Sequence, residues 1–197
     1  MREWWKPLLV LSIGLVGLAH AFSQREIHRA PGILAPQEPV QSMVDAAPFR
    51  LREYLIKPQA RYDIEARVLS TERYRLDGGS GLAPIDFAVG WGPMSDSAVL
   101  EHFRVTQGAR FFTIYPDESA IDLNEALRSA ANMHLIPADG SIADRLKRVR
   151  VGSVVHLQGW LVNATRDDGF YWNTSLTRED TGNGACELFF VESLSQH

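Results

Sequence analysis

The sequence predicts an α+β domain, on three observations. Tyr62, Ile64, Ala66 and Val68 alternate with Asp63, Glu65 and Arg67, the period-two pattern of a strand with one buried face. Asp122 with Glu125 and Ser141 with Asp144 each open a stretch whose apolar residues recur at helical spacing. The last three apolar runs follow one another with only turns between them. Strands interrupted by single short helices point to a curved antiparallel sheet or a small β-barrel carrying two or three short helices. A helix followed by Val149–Leu157 and a hairpin is compatible with an OB-like barrel, the oligonucleotide- or oligosaccharide-binding type.

The elements follow in chain order. After the strand at 62–68, Asp77-Gly78-Gly79-Ser80-Gly81 breaks the pattern, and Ile85 to Trp91 is an apolar run of strand length ended by Gly92-Pro93. Asp96 caps a short helix with Val99, Leu100 and Phe103 on one side. Ala109 to Tyr115 reads as a strand. Leu123, Ala126, Leu127 and Ala130 form one helical stripe, and Ile142, Leu146 and Val149 another that Gly152 stops. Val154 to Thr165 and Phe170 to Ser175 flank Asp168-Gly169, which suits a hairpin turn, and Cys186 to Val191 is a final strand.

At 197 residues the chain has room for one domain and appendages, and 45% hydrophobic with 22% charged residues supplies a real core, which excludes global disorder and fibrous repeats. Residues 1–22 place Arg2 and Lys6 before an uncharged apolar run, Leu8 to Phe22, that ends Ala19-His20-Ala21. That layout predicts a signal peptide or a membrane anchor, with a transmembrane helix over residues 4–22 if the segment stays uncleaved. Residues 23–48, with Pro31, Pro36, Pro39 and Pro48, predict a Pro-rich linker, either a spacer or an extended arm packed through Ile33, Leu34, Val40 and Met43. Residues 49–197 form the single globular domain. The expected location is the bacterial cell envelope, anchored to the inner membrane and facing the periplasm, or periplasmic after cleavage.

A formal charge of -4 argues against a broad nucleic-acid surface, and Arg145, Lys147, Arg148 and Arg150 form a local basic cluster within it. One cysteine excludes an internal disulfide and a cysteine-built metal site, and His102, His134 and His156 lack ligand spacing, so neither metal nor cofactor is predicted. Cys186 falls on the same strand face as Leu188 and Phe190, where a thiol acts as a small hydrophobe. Asp86 and Asp96 flank the Gly90-Trp91-Gly92 turn as a possible carboxylate pair, with Asp96 better explained as a helix cap.

The densest polar segment runs from Trp172 to Glu187, and Ser175, Thr177, Arg178, Asp180 and Glu187 offer hydroxyls, a guanidinium and carboxylates for an anion or sugar. His134 is the candidate acid or base, and Trp91, Trp160, Tyr171 and Trp172 are candidates for stacking on a glycan. The segment Trp172–Glu187, with Gly90–Asp96 and Asn132–Pro137, resembles a family of uncharacterised bacterial envelope proteins that carry an N-terminal membrane segment. The resemblance implies an envelope location and no particular activity. The expected function is a non-enzymatic binding or adaptor module for an envelope protein or ligand, with His134, Ser175, Thr177, Arg178, Asp180, Glu187 and Trp91 as ligand-binding candidates. The alternatives are a hydrolase of phosphodiesters or glycans using His134 and the Ser175 to Glu187 loop, and an oligonucleotide-binding barrel.

Overall fold

Strand β3, Tyr54–Arg73, organises the molecule, because its alternating burial lets one long segment pair along both edges. A computed structural model describes residues 25–177 and 186–197. Strands β1 (Val40–Met43) and β2 (Phe49–Leu51) pair antiparallel with β3. Strand β4 (Ile85–Gly90) lies along its other portion, followed by helix α1 (Ser97–Leu100) and the hairpin of β5 (Phe103–Gly108) and β6 (Phe111–Pro116). Helix α2 (Leu123–Arg128), strand β7 (Ala130–Pro137), helix α3 (Gly140–Leu146) and strand β8 (Val154–Arg166) come next. The short β9 (Tyr171–Trp172) and the last strand, β10 (Glu187–Gln196), complete the described part.

The architecture is mixed α+β, a large curved sheet with three short helices. Its hydrogen-bonded path runs β3-β4-β7-β10-β8, and β8 also pairs with β3, so the path returns to its start. All neighbours are antiparallel except β7 and β10, which run parallel with Leu188 beside His134. The interior holds Tyr62, Ile64, Phe87, Met133, Leu135, Leu157 and Phe189, one side-chain set from every strand of that path. Ile142, Leu146 and Val149 of α3 and the segment after it close one end of this core. Alternate residues of the same strands, among them Ile56, Ile136, Val162, Leu188 and Phe190, form a second cluster on the opposite face.

Several elements depart from the pattern-based reading. Phe103 does not continue the helix after Asp96 but opens β5, and Ala130 leaves the α2 stripe to open β7. Every residue of β7 is buried, so it lacks the polar alternation that marks a one-faced strand. Helix α3 is capped by Asp139, whose carboxylate accepts from Ile142 N at 2.8 Å, rather than by Ser141.

The described part of the Pro-rich segment lies against the domain. Ile27 N donates to Val151 O at 2.8 Å, Gly32 N to Asp96 Oδ1 at 2.8 Å, and Leu34 N and Ala35 N to Ser95 Oγ at 3.1 Å each. Backbone bonds and the buried Ala35 hold this arm, whereas Ile33, Val40 and Met43 stay exposed. Asp96 therefore serves two backbones, the arm and Ala98 N of α1, and these bonds hold its carboxyl below the usual range.

The expectation of a transmembrane helix is corrected: among the described residues no helix is long and apolar enough to cross a membrane. Residues 4–22, where that helix was expected, lie outside the described residues.

Candidate functional site

Strands β4 and β7 place Asp86 directly opposite His134, on the face away from Phe87, Met133 and Leu135. Asp86 is fully buried and His134 is 3% exposed. His134 Nδ1 stands 2.9 Å from Asp86 Oδ2, an ion-pair distance, with the ring turned so that the two atoms do not complete a hydrogen bond. In the tautomer that carries its proton on Nδ1, toward the carboxylate, Nε2 is the acceptor.

The other Asp86 oxygen accepts from Arg110 NH1 at 2.8 Å. Arg110 also forks onto Asp77, Nε to Oδ2 at 2.9 Å and NH2 to Oδ1 at 2.8 Å, and donates to Ala83 O at 2.8 Å. Its guanidinium carbon lies 3.7 Å from the centroid of the Tyr74 ring and 5.3 Å from that of Trp172. The Arg110 hydrogen bonds are the chief reason that the Asp77 carboxyl is held below the usual range. Burial first, with Asp86 nearby adding to it, pushes the Tyr74 hydroxyl up.

The chain sets Arg110 in place through an unusual turn. Gly108 pairs with Phe111, so Ala109 and Arg110 are the two-residue connection of the β5–β6 hairpin, with φ of 50° and 71°. Two positive angles are what such a hairpin needs, and Asn-Gly normally supplies them. Here two side-chain-bearing residues adopt them, at about 1–2 kcal/mol each. Arg110 N donating to Tyr74 Oη at 2.9 Å, and Asn132 Nδ2 donating to Arg110 O at 3.0 Å, hold the turn from both sides. Gln107 Nε2 in turn donates to Asn132 Oδ1 at 2.6 Å. Ala109→Gly is therefore expected to raise stability by about 0.5–1 kcal/mol without moving Arg110, since glycine adopts the turn freely. An unchanged or lower urea midpoint would locate the strain elsewhere.

Arg110 and His134 line a cleft of about 520 Å³ together with Phe111, Tyr171, Trp172, Asn173 and Cys186. The His134 and Trp172 rings are 4.7 Å apart between centroids. Tyr171 is 74% exposed and Phe111 43%, so the mouth is rimmed with aromatic surface. Cys186 is half-buried, and its sulfur accepts from Asn132 Nδ2 at 3.4 Å.

Of the residues singled out by the sequence, the structure brings His134, Tyr171, Trp172 and Cys186 to this cleft, with Asp86 beside His134, and places Trp91, Trp160 and Glu187 elsewhere. Trp91 is 2% exposed within the interior core. Glu187 is buried too, and alternation along β10 turns it to the side of Phe189 and Val191, away from His134. Ser175 Oγ donates to Thr177 O at 2.9 Å and accepts from Thr177 N at 3.2 Å, so this hydroxyl closes its own loop. Arg178 and Asp180 lie outside the described residues. Of the four stacking candidates, Tyr171 and Trp172 line the cleft, while Trp160 sits under Arg61 and donates to Glu192 Oε1 at 2.8 Å. The basic cluster lies elsewhere, at the far end of β10.

Arg110 had no sequence signal, and Asp77, Asn132 and Asn173 were noted only as parts of longer segments, none as a site residue. They come from a turn, a loop, a strand buried along its length and a strand end, and only the three-dimensional pairing unites them. Among the described residues no group of three or more His, Cys, Asp or Glu side chains is arranged to hold a metal ion. Comparison of the chain with protein-family models, with curated proteins and with solved structures finds no match.

Proposed function

We propose that this chain is an exported, periplasmic binding module of the bacterial envelope, built on an OB-like barrel, whose cleft holds an uncharged, hydroxyl-bearing ligand of the glycan class. The barrel reading rests on strand order. The path β3-β4-β7-β10-β8 and back to β3, the parallel β7–β10 pair, and α3 between β7 and β8 match a five-stranded Greek-key barrel. In such barrels, ligands lie on the face of the second and third strands, between the loop joining the first two strands and the loop joining the last two. Here those are β4, β7, the Tyr74 to Pro84 loop and the chain after β8, which together hold Asp77, Asp86, His134, Tyr171 and Trp172. Likeness of architecture carries no ligand by itself, so the ligand class is argued from the cleft.

The observation that carries it is charge compensation: the guanidinium in the wall is held by Asp77 and Asp86. Among the described lining residues a polyanion would find no uncompensated cation, in a chain of net charge -4. A sugar instead finds an acceptor at His134, an amide at Asn173 and aromatic faces at Tyr171 and Phe111. The leader-like residues 1–22 and the envelope-family resemblance support export.

The test is a tryptophan-fluorescence titration with N-acetylglucosamine oligomers and, separately, single-stranded DNA of matched length. Saturable binding of the sugar is expected, indifferent to salt, and weakened about fivefold by Tyr171→Ala. No saturable sugar signal, or DNA binding that falls steeply with salt, overturns the reading.

A further inference from the structure

The basic cluster takes no part in the cleft, and its geometry has a use of its own. Between residues 140 and 152 the chain carries Arg145, Lys147, Arg148 and Arg150 against one acid, Asp144. Arg73, from β3, adds a further cation by donating to Lys147 O at the end of α3. Cations at a helix C-terminus answer its dipole, and that accounts for Arg73 and Lys147. Arg145 lies in the last turn and shares that role, which does not explain why Arg145 and Arg148 line one notch at the end of β10.

There they line a notch of about 310 Å³ with Leu194, Ser195 and Gln196. No carboxylate is among its lining residues. Asp144, the nearest acid in sequence, is occupied by Lys147 Nζ at 3.0 Å. Arg145 is anchored by donating from NH2 to Leu194 O, which fixes its guanidinium and leaves further N–H donors. Arg148 lines the notch beside it, with Ser195 and Gln196 of β10 completing the lining. Two arginines one helical turn apart, lining one concavity, offer several donors to a single occupant. Guanidinium forks match tetrahedral oxyanions, and a phosphoryl group is the oxyanion whose charge and several acceptors such a set would satisfy.

We propose that this notch is a phosphoryl-binding site, separate from the aromatic cleft and at the opposite end of β10, roughly 30 Å of strand away. Its volume exceeds that of a bare phosphate ion, so the group it takes is a phosphoryl bearing a further substituent. A free phosphorylated small molecule and a phospholipid headgroup share this chemistry, and the two are separated by experiment.

The full chain is titrated calorimetrically with inorganic pyrophosphate, and its co-sedimentation with phosphatidylglycerol and phosphatidylcholine vesicles is measured. One saturable pyrophosphate site is expected, weakened about tenfold by Arg148→Gln, since one charge-assisted pair is removed. Arg148 is exposed, so this variant is expected to melt as the parent does. Arg50→Gln, an exposed charge paired with Asp167 on another part of the surface, controls for the overall field and is expected to leave affinity unchanged. Binding to phosphatidylglycerol vesicles that pyrophosphate competes away assigns the lipid headgroup. Pyrophosphate binding without vesicle binding assigns the free phosphorylated molecule. The proposal is overturned by the absence of saturable binding in both arms, or by equal weakening in Arg50→Gln and Arg148→Gln. Neither outcome bears on sugar binding in the cleft, so the two readings fail separately.

Discussion

Arg110→Met is expected to destabilise the domain by about 3 kcal/mol at neutral pH, because it strips a fully buried carboxylate of its hydrogen-bonded cation. Asp86 would be left with His134 alone, at ion-pair distance but without hydrogen-bond geometry. The turn that carries residue 110 would keep its positive φ while losing the guanidinium contacts to Asp77, Ala83 and Tyr74 that offset it. Asp86→Asn in the same chain is expected to recover part of the loss, since it removes the charge rather than leaving it unpaired, so the double variant should be less unstable than the sum of the two single ones. The dependence on pH gives a second check. Asp77 is held below the ordinary carboxyl range chiefly by Arg110, so it contributes stability that is complete above the ordinary value and is lost as pH falls through its lowered one. Arg110→Met abolishes that contribution, and the gap between parent and variant is expected to narrow below about pH 4. Urea midpoints at neutral and acid pH measure both effects. A gap that stays constant with pH would mean that Asp77 does not depend on Arg110.

The difference between what was legible and what was not follows from how each residue is exposed to its neighbours. Strand β8 and the core of β3 could be read because one face is polar, so alternation survives in the sequence. Strand β7 could not, because both faces are buried and its only polar members, Asn132 and His134, are there to serve the site. Phe103 and Ala130 misled for a related reason: each is an apolar residue at helical spacing from a short helix, yet is drawn into a strand by pairing with a distant segment. The polar stretch after Trp172 attracted attention through composition alone. The Ser175 hydroxyl closes its own loop, and the buried polar network instead gathers where β4, β7 and the β5–β6 turn meet. His134 was visible as a histidine, but the partner that orients it is 48 positions earlier and is fixed by strand register.

Gly159→Ala tests that register where the structure leaves least room, and a loss of about 4 kcal/mol or a failure to accumulate soluble protein is expected. Gly159 lies in the middle of β8, opposite Tyr62 of β3 and Val191 of β10. A methyl group there would overlap Phe190 O and crowd Glu192 N, both backbone atoms that cannot swing away. The reason is the irregularity in β10: the pairing shifts between Val191 and Ser193, so Glu192 is an extra residue and the strand bends toward β8 at this point. Glycine permits that approach, and the bend turns the Glu192 side chain outward, where it meets Arg61 at 2.5 Å and Trp160 Nε1 at 2.8 Å. Pushing β10 back would break the β8–β10 ladder on one side and disturb the β7–β10 pairing on the other, and with it the position of Cys186 and the cleft. Gly78→Ala, where an added methyl meets nothing within 4 Å, is the matched control and is expected to change stability by less than about 0.5 kcal/mol. If Gly159→Ala behaves like Gly78→Ala in soluble yield and urea midpoint, β10 does not approach β8 as closely as the bulge requires, and the closed strand path that frames the cleft has to be redrawn.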